Sequence, residues 1–284
     1  MSDLEASLKG WDPDPVTSSD ALSPDPALAL AAVLETPRPF LVDGELPPLW
    51  HWVYFLDWPA HGDLGADGHP AHGRFLPPVP NRRRMFAGGR LTITRPLRVD
   101  GVAERTSSLS HVAVKRGRSG EMVFVTVRSE FRQEGGLRMV EEQDYVYRSG
   151  ESETRSSYAT APRQWPEAAA AWQQRFTGDS VRLFRFSALT ANAHRIHYDE
   201  PYAREVERYP GLVVHGPLLA MLMTELARRN RAESPISTVD YRLRRPVFAG
   251  TPTLVTGTPD EDSAEMTVLS APDTVVAQAK VGFA

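Results

Sequence analysis

The stretch Gly216-Pro-Leu-Leu-Ala-Met-Leu-Met-Thr-Glu-Leu-Ala227 is helix-forming and apolar nearly all round. A helix without a polar face must be buried on every side, so the chain has to supply a layer that wraps it. Pro217 suits the first turn, where its missing N–H costs nothing, and Arg228 and Arg229 stand at the end where cations oppose the macrodipole favourably. The wrapping material follows directly: strand-like runs near 237–248, 252–258, 264–270 and 274–283. The same order occurs earlier. Residues 25–35 read as a helix with Asp25 as N-cap and Pro26 at N1, and residues 49–56 as a buried helix or an extended core segment. Arg90–Val99, Thr106–Arg116, Glu121–Gln133 and Gly136–Tyr147 then read as an antiparallel meander, with turn signals at 117–120 and 134–136. Helices followed by an antiparallel sheet, twice over, predict an α+β chain of two units of similar plan. The expected division is a polar lead-in at 1–22, a first unit at 23–150, a linker at 151–173 and a second unit at 174–284.

The 284 residues are 41% hydrophobic and 24% charged, enough material for two cores. A net charge of −4, with Arg82-Arg-Arg84 as the densest basic run, offers no broad face for a nucleic-acid backbone. Cysteine is absent, which excludes disulfides, thiol nucleophiles and cysteine-bound metals. The N-terminus lacks a basic segment followed by an apolar run, and no 18 consecutive residues are apolar, so neither a secretory signal nor a membrane span is expected. The expected compartment is the cytoplasm. Residues 59–81 form a long connection rich in Gly, Pro and His, the kind of loop that is functional or disordered. His51, His61, His69 and His72 fall in or near it, at spacings that match no common zinc pattern, so no metal is expected.

The chemistry concentrates in Phe184-Arg-Phe-Ser187, Asn192-Ala-His194-Arg-Ile-His197-Tyr-Asp199 and Val214-His-Gly216 before the apolar helix. These strings resemble the MaoC-like family of R-specific enoyl-CoA hydratases ("hydratase 2"). That family's motif runs aromatic-x-aliphatic-Ser, Asp-x-Asn-Pro-aliphatic-His-x-Asp, then His-Gly ahead of a central helix. The likeness is closest to a double-hotdog subgroup of itaconyl-, mesaconyl- and methylfumaryl-CoA hydratases. It is close over about residues 180–283, and looser in the first half, where Pro77-Pro-Val-Pro80 and Met85-Phe-Ala-Gly-Gly89 are similar to a FAS1-like dehydratase unit.

The resemblance implies two hotdog units, each a curved antiparallel sheet wrapped round a central helix. It further implies reversible hydration of a 2-enoyl-CoA (dehydration of the 3-hydroxyacyl-CoA), with a branched C5 dicarboxylyl group as substrate and CoA as part of the substrate rather than a cofactor. The family's catalytic histidine falls on His197 and its catalytic aspartate on Asn192, while the motif's asparagine falls on His194. Gly216 would donate its N–H to the thioester carbonyl, and Thr224 would line the site. Arg195, Arg82 and Arg83 are the candidates for the second carboxylate. A histidine suits proton transfer at neutral pH, and a free N–H at a helix start suits a developing enolate.

Asn192 departs from the family pattern, because an amide orients a water but cannot take its proton. Either His197 carries the proton transfers while Asn192 positions water, which is favoured, or His194 has taken a second acid/base role. Blander roles stand beside these. Thr224 would satisfy itself on a helix carbonyl, Asp199 would cap the turn at Pro201, and His215 would support the site rather than react. The rival functions are a dehydratase of ordinary 3-hydroxyacyl thioesters, a non-catalytic acyl-thioester-binding protein, and a thioesterase. A homodimer is the expected assembly.

Overall fold

The Asp20 carboxylate accepts hydrogen bonds from the N–H groups of Leu22 and Phe55, both at 2.9 Å, and pins the start of the chain to the body of the protein. The computed structural model describes residues 3–37, 41–80, 82–117, 120–149 and 164–284. In chain order the first half contains α1 (Asp3–Ser7), β1 (Val16–Asp20), α2 (Pro24–Leu34), β2 (Arg83–Ile93), β3 (Ala103–Gly117), β4 (Gly120–Gln133) and β5 (Gly136–Arg148). The second half contains β6 (Trp172–Phe176), α3 (Ser180–Leu189), α4 (Gly216–Asn230), β7 (Ile236–Leu243), β8 (Thr253–Pro259), β9 (Ser263–Ala271) and β10 (Thr274–Phe283).

All ten strands join one antiparallel sheet in the order β1-β3-β4-β5-β2-β7-β10-β9-β8-β6. The first half therefore forms one side of the sheet and the second half the other, joined where β2 pairs with β7. A register shift follows Phe86 in β2, and Gly88 and Gly89 then lie opposite Arg242 and Tyr241. A Cβ on Gly89 would collide with the Glu142 carbonyl and the Tyr241 ring, so only glycine lets the three backbones come this close. The β4–β5 hairpin turns on Glu134 and Gly135 at φ 53° and 75°. This positive-φ pair matches the right-handed twist of the flanking strands.

Leu218 through Ala227 are buried without a break, and α4 packs on β6, β7, β8, β9 and β10, as an all-apolar helix requires. Near its end Glu225, itself buried, accepts from Arg228 at 2.8 Å, and Arg229 Nε donates to the Glu225 carbonyl at 3.2 Å. The first half is filled differently. The 11-residue α2 packs against α3 and a 3₁₀ turn at Trp50–Val53, so one apolar core runs from Leu30 and Trp50 through Phe186 to Leu222.

Several boundaries differ from the sequence reading. The 1–22 segment is tied down: Leu4 and Leu22 are buried, and β1 pairs with β3. Its Thr-Ser-Ser-Asp composition disguised an edge strand. The N-cap of α2 is Ser23, with Pro24 in the first turn, rather than Asp25. The first long strand starts at Arg83 instead of Arg90, because pairing with β5 recruits the arginine run. α3, capped by the Asp179 carboxylate on Arg182 N–H at 2.8 Å, gave no separate periodic signal. The helical material of residues 201–230 is a π turn at Tyr202–Val206 and α4, with an irregular segment between. Of the 151–173 stretch read as linker, 151–163 lie outside the described residues, and Trp172 and Gln173 belong to β6.

Since Gly89 sits at the join, Gly89→Val is expected to destabilise the protein by about 3 kcal/mol through overpacking. Urea unfolding against wild type measures it, and an unchanged midpoint would show that the join tolerates a side chain.

Candidate active site

A cleft of about 1810 Å³ opens beside the start of α4, and both halves line it. From the second half come Asn192, His194, His197 and Gly216; from the first come His69 and Arg84. His197 sits in a 3₁₀ turn (Arg195–His197) and is buried, 7% exposed. Its Nδ1 lies 2.7 Å from the Val213 carbonyl oxygen. A carbonyl only accepts, so Nδ1 carries the proton and Nε2 keeps a free lone pair.

Behind His197 the ring of His215 stacks at 3.7 Å, and His215 Nε2 meets the Ser187 hydroxyl at 2.9 Å. His215 is fully buried and does not line the cleft; it braces His197. The His194 ring stands edge-on to His197 at 5.5 Å. Asn192 Oδ1 accepts from the backbone N–H of His194 at 3.1 Å, which leaves the amide NH2 and one lone pair of Oδ1 for another group. Gly216 opens α4, where the first N–H groups have no intrahelical acceptor.

Burial pushes His197 down to about 4, against the Val213 hydrogen bond that raises it. Burial first, then the repulsion that a charge on His69 or His197 would add and the charges of Arg84 and Arg83, hold His194 far below the ordinary histidine range. Burial, with His197 and His194, does the same to His215. All three rings are therefore neutral at pH 7.

The sequence reading missed His69. It lies in the long 59–81 connection, its Nδ1 is 3.0 Å from Asp67 Oδ2, and its ring packs on His194 at 4.0 Å. Burial raises the Asp67 carboxyl, but hydrogen bonding to and the charge of His69 outweigh it and hold the group below its usual value. Asp67, His69 and His194 bring atoms able to ligate a cation within 4.8 Å of one another. The four histidines weighed together in the sequence do not assemble: His51 is buried on Glu141 at 3.1 Å, and His61 and His72 are exposed. The length of the loop was the one signal for His69. No spacing rule connects residue 69 to residue 194.

This loop is clamped to the catalytic string. The Asp67 carbonyl accepts from Arg195 N at 2.9 Å, and the Ala66 carbonyl accepts from Arg195 Nη1 at 3.0 Å. Gly68, at φ 87°, lies so close to the Ala193 carbonyl that a Cβ would overlap it.

Two of the expected residues lie off the cleft, and two line it already engaged with other groups. Thr224 does not line the cleft; its buried hydroxyl donates to the Met221 carbonyl at 2.9 Å. Arg195 also lies off the cleft and is paired with Asp199 at 2.7 Å. Arg82 donates to the Ala71 and Pro77 carbonyls at 2.8 and 3.0 Å, and Arg83 pairs with Glu207. All three arginines are thus engaged within the protein. Asp199 also accepts from Tyr202 N at 3.2 Å, the capping role at Pro201.

Residues 49–249 match the model of hydroxyacyl-thioester dehydratase type 2. Mesaconyl-C(4)-CoA hydratase of Chloroflexus aurantiacus is 44% identical over 84% of this chain and 85% of its own. A mitochondrial hydroxyacyl-thioester dehydratase type 2 of Schizosaccharomyces pombe is 26% identical over 73% of this chain and 76% of its own. In fold the chain is similar to a MaoC-like dehydratase from Phytophthora capsici, with a TM-score of 0.69 at 12% identity, covering 100% of this chain and 99% of that one. The chain belongs to the hydroxyacyl-thioester dehydratase type 2 family and shares the fold of MaoC-like dehydratases. It is a hydro-lyase, catalysing reversible hydration of a 2-enoyl thioester. No helix among the described residues is long and apolar enough to cross a membrane.

Two outcomes are expected. Gly68→Ala should push the loop off Ala193 and lower kcat/KM by about 10²-fold, the scale of an ångström-level misplacement; equal activity would mean the loop is not part of the site. Separately, the histidines held neutral make the unfolded chain bind more protons than the folded one between about pH 6.5 and 4. Their contribution is therefore complete above pH 6.5 and lost as pH falls toward 4. Urea midpoints across that interval should drop for wild type and drop less for His197→Phe.

Proposed function

We propose that the chain hydrates a short 2-enoyl-CoA bearing a second carboxylate, of the mesaconyl-CoA class, with His197 as the group that moves the proton. The observation that carries this reading is the buried His197, its Nδ1–H tied to the Val213 carbonyl and its Nε2 unprotonated at the cleft. In the hydration direction Nε2 takes a proton from water as the oxygen adds to C3. The alkene electrons move to the thioester carbonyl oxygen, giving an enolate. The N–H of Gly216 at the positive end of α4 holds that oxygen, and the His197 imidazolium returns the proton to C2. Asn192, its Oδ1 already accepting from His194 N–H, would donate from its NH2 to the water oxygen, and an amide takes no proton from it. His194, a neutral ring beside His197, would orient the same water.

The substrate class rests on the similarity to mesaconyl-C(4)-CoA hydratase along most of both chains. The exposed Arg208, Arg244 and Arg245 at the cleft suit the CoA phosphates. Side chains and one backbone N–H supply every proton and charge in this scheme, so it calls for no metal or redox cofactor. A homodimer in the cytoplasm is the proposed working form; light scattering tests the dimer.

Activity is to be followed with mesaconyl-C4-CoA, itaconyl-CoA and crotonyl-CoA. His197→Ala should lower kcat by about 10²–10⁴-fold, the usual worth of general acid–base catalysis, and full activity would remove His197 from the mechanism. Because protonation inactivates the base, the acid limb of kcat/KM should bend near 4 rather than near 6.5. Crotonyl-CoA turning over better than mesaconyl-C4-CoA would favour the general dehydratase, and free CoA release would reveal a thioesterase.

A further inference from the structure

We propose that Arg84 is the residue that selects the substrate, its guanidinium binding the free carboxylate of the acyl group. This rests on the hydratase reading above and names a determinant of its specificity.

Of the arginines near the histidines, Arg83 pairs with Glu207, Arg195 with Asp199 and the Ala66 carbonyl, and Arg82 donates to two carbonyls; Arg105, also at the cleft, stands over the Phe55 ring near the Glu141 and Asp57 charges. Arg84 differs. Arg83 and Arg84 both line the cleft, and it is Arg83 that pairs with Glu207. The guanidinium of Arg84 lies 4.3 Å from the centre of the Tyr145 ring and lines the cleft. Among the described residues no carboxylate stands within ion-pair distance of it. The Tyr145 hydroxyl accepts from it, and Asp67 acts on it only from beyond ion-pair distance, so the guanidinium keeps further N–H donors for another acceptor. The geometry suits an anion that arrives with the ligand, because a planar fork backed by an aromatic face is well formed for a carboxylate.

Position narrows which anion. Arg84 is close enough to His69 and His194 for its charge to depress both, and His194 adjoins His197 at 5.5 Å between ring centres. In a fumaryl-type thioester the second carboxylate is bonded to an alkene carbon. It must therefore rest within a few bonds of the base, and a cation beside the histidines is where it would be met. The CoA phosphates lie at the far end of a long pantetheine arm, where the exposed arginines stand. A cation on Asp67, His69 and His194 is disfavoured by the same placement, since Arg84 already supplies positive charge there.

The experiment compares Arg84→Gln with wild type by calorimetry, using succinyl-CoA and butyryl-CoA as unreactive ligands that differ in the free carboxylate. In parallel kcat/KM is measured on mesaconyl-C4-CoA and crotonyl-CoA. The expected result is a rise of about 100-fold in the succinyl-CoA Kd relative to that of butyryl-CoA, ~2.8 kcal/mol at 1.4 kcal/mol per decade, and a matching fall in the mesaconyl-to-crotonyl ratio. Parallel weakening of both ligands would place Arg84 on CoA or in the scaffold, and no change in either would remove it from binding; both overturn the inference. If Arg84→Gln fails to fold, Arg84→Lys, which keeps charge but loses the fork, reads the same ratio with a smaller shift. If wild type hydrates neither thioester, the proposed function fails, while the two Kd values still decide the role of Arg84.

Discussion

The pairing of β2 with β7, Gly88–Thr92 against Thr238–Arg242, is the contact on which the other features depend. It turns two antiparallel sheets into one and sets the first half's arginine strand beside the second half's histidine turn. Neither half holds a complete site. His197, Asn192 and the α4 start come from one side of the join, Arg84 and the His69 loop from the other. The two glycines at the join are the local condition for it, because side chains there would hold the backbones apart.

The second constraint is electrostatic. Four histidines crowd the join: His69 on His194, His194 edge-on to His197, and His197 on His215. So many rings pack together only if they are neutral, and burial enforces that. Neutrality has a chemical consequence: with Nδ1–H committed to the Val213 carbonyl, His197 presents a lone pair at neutral pH. The protein thus gains a base ready for use at the expense of stability in acid. Where the resemblance expects a second acid/base group stands Asn192, an amide whose oxygen accepts from the backbone, and the proposed mechanism therefore rests proton transfer on a single ring.

Much of this was legible in the sequence, for identifiable reasons. The all-apolar run before Arg228 required a wrapped helix, and the strands after it alternate strongly enough to be placed within a few residues. The string from Asn192 to Asp199 marked the catalytic turn, because short-range order fixes the geometry of residues a few positions apart. Illegible were elements stabilised by contacts with distant chain. β1 is polar and is a strand only because β3 offers an edge. Thr224 carried a motif position, yet its hydroxyl turns back to its own helix. Arg82, Arg83 and Arg195 looked like free anion binders; Asp199, four residues from Arg195, was within local reach, but nothing local reveals that Ala66 and Glu207 would engage Arg195 and Arg83.

The sequence alone determined the class of fold and of reaction and singled out His197 as the candidate base, since each depends on residues near one another in the chain or on a pattern repeated along it. Tertiary structure alone decided which groups stand around that base. His69 reaches His194 across more than a hundred residues, and Arg84 keeps its charge uncommitted while its neighbour Arg83 is paired. Such outcomes depend on through-space distance and on competition among partners for the same charge, and neither quantity is written in the order of the residues.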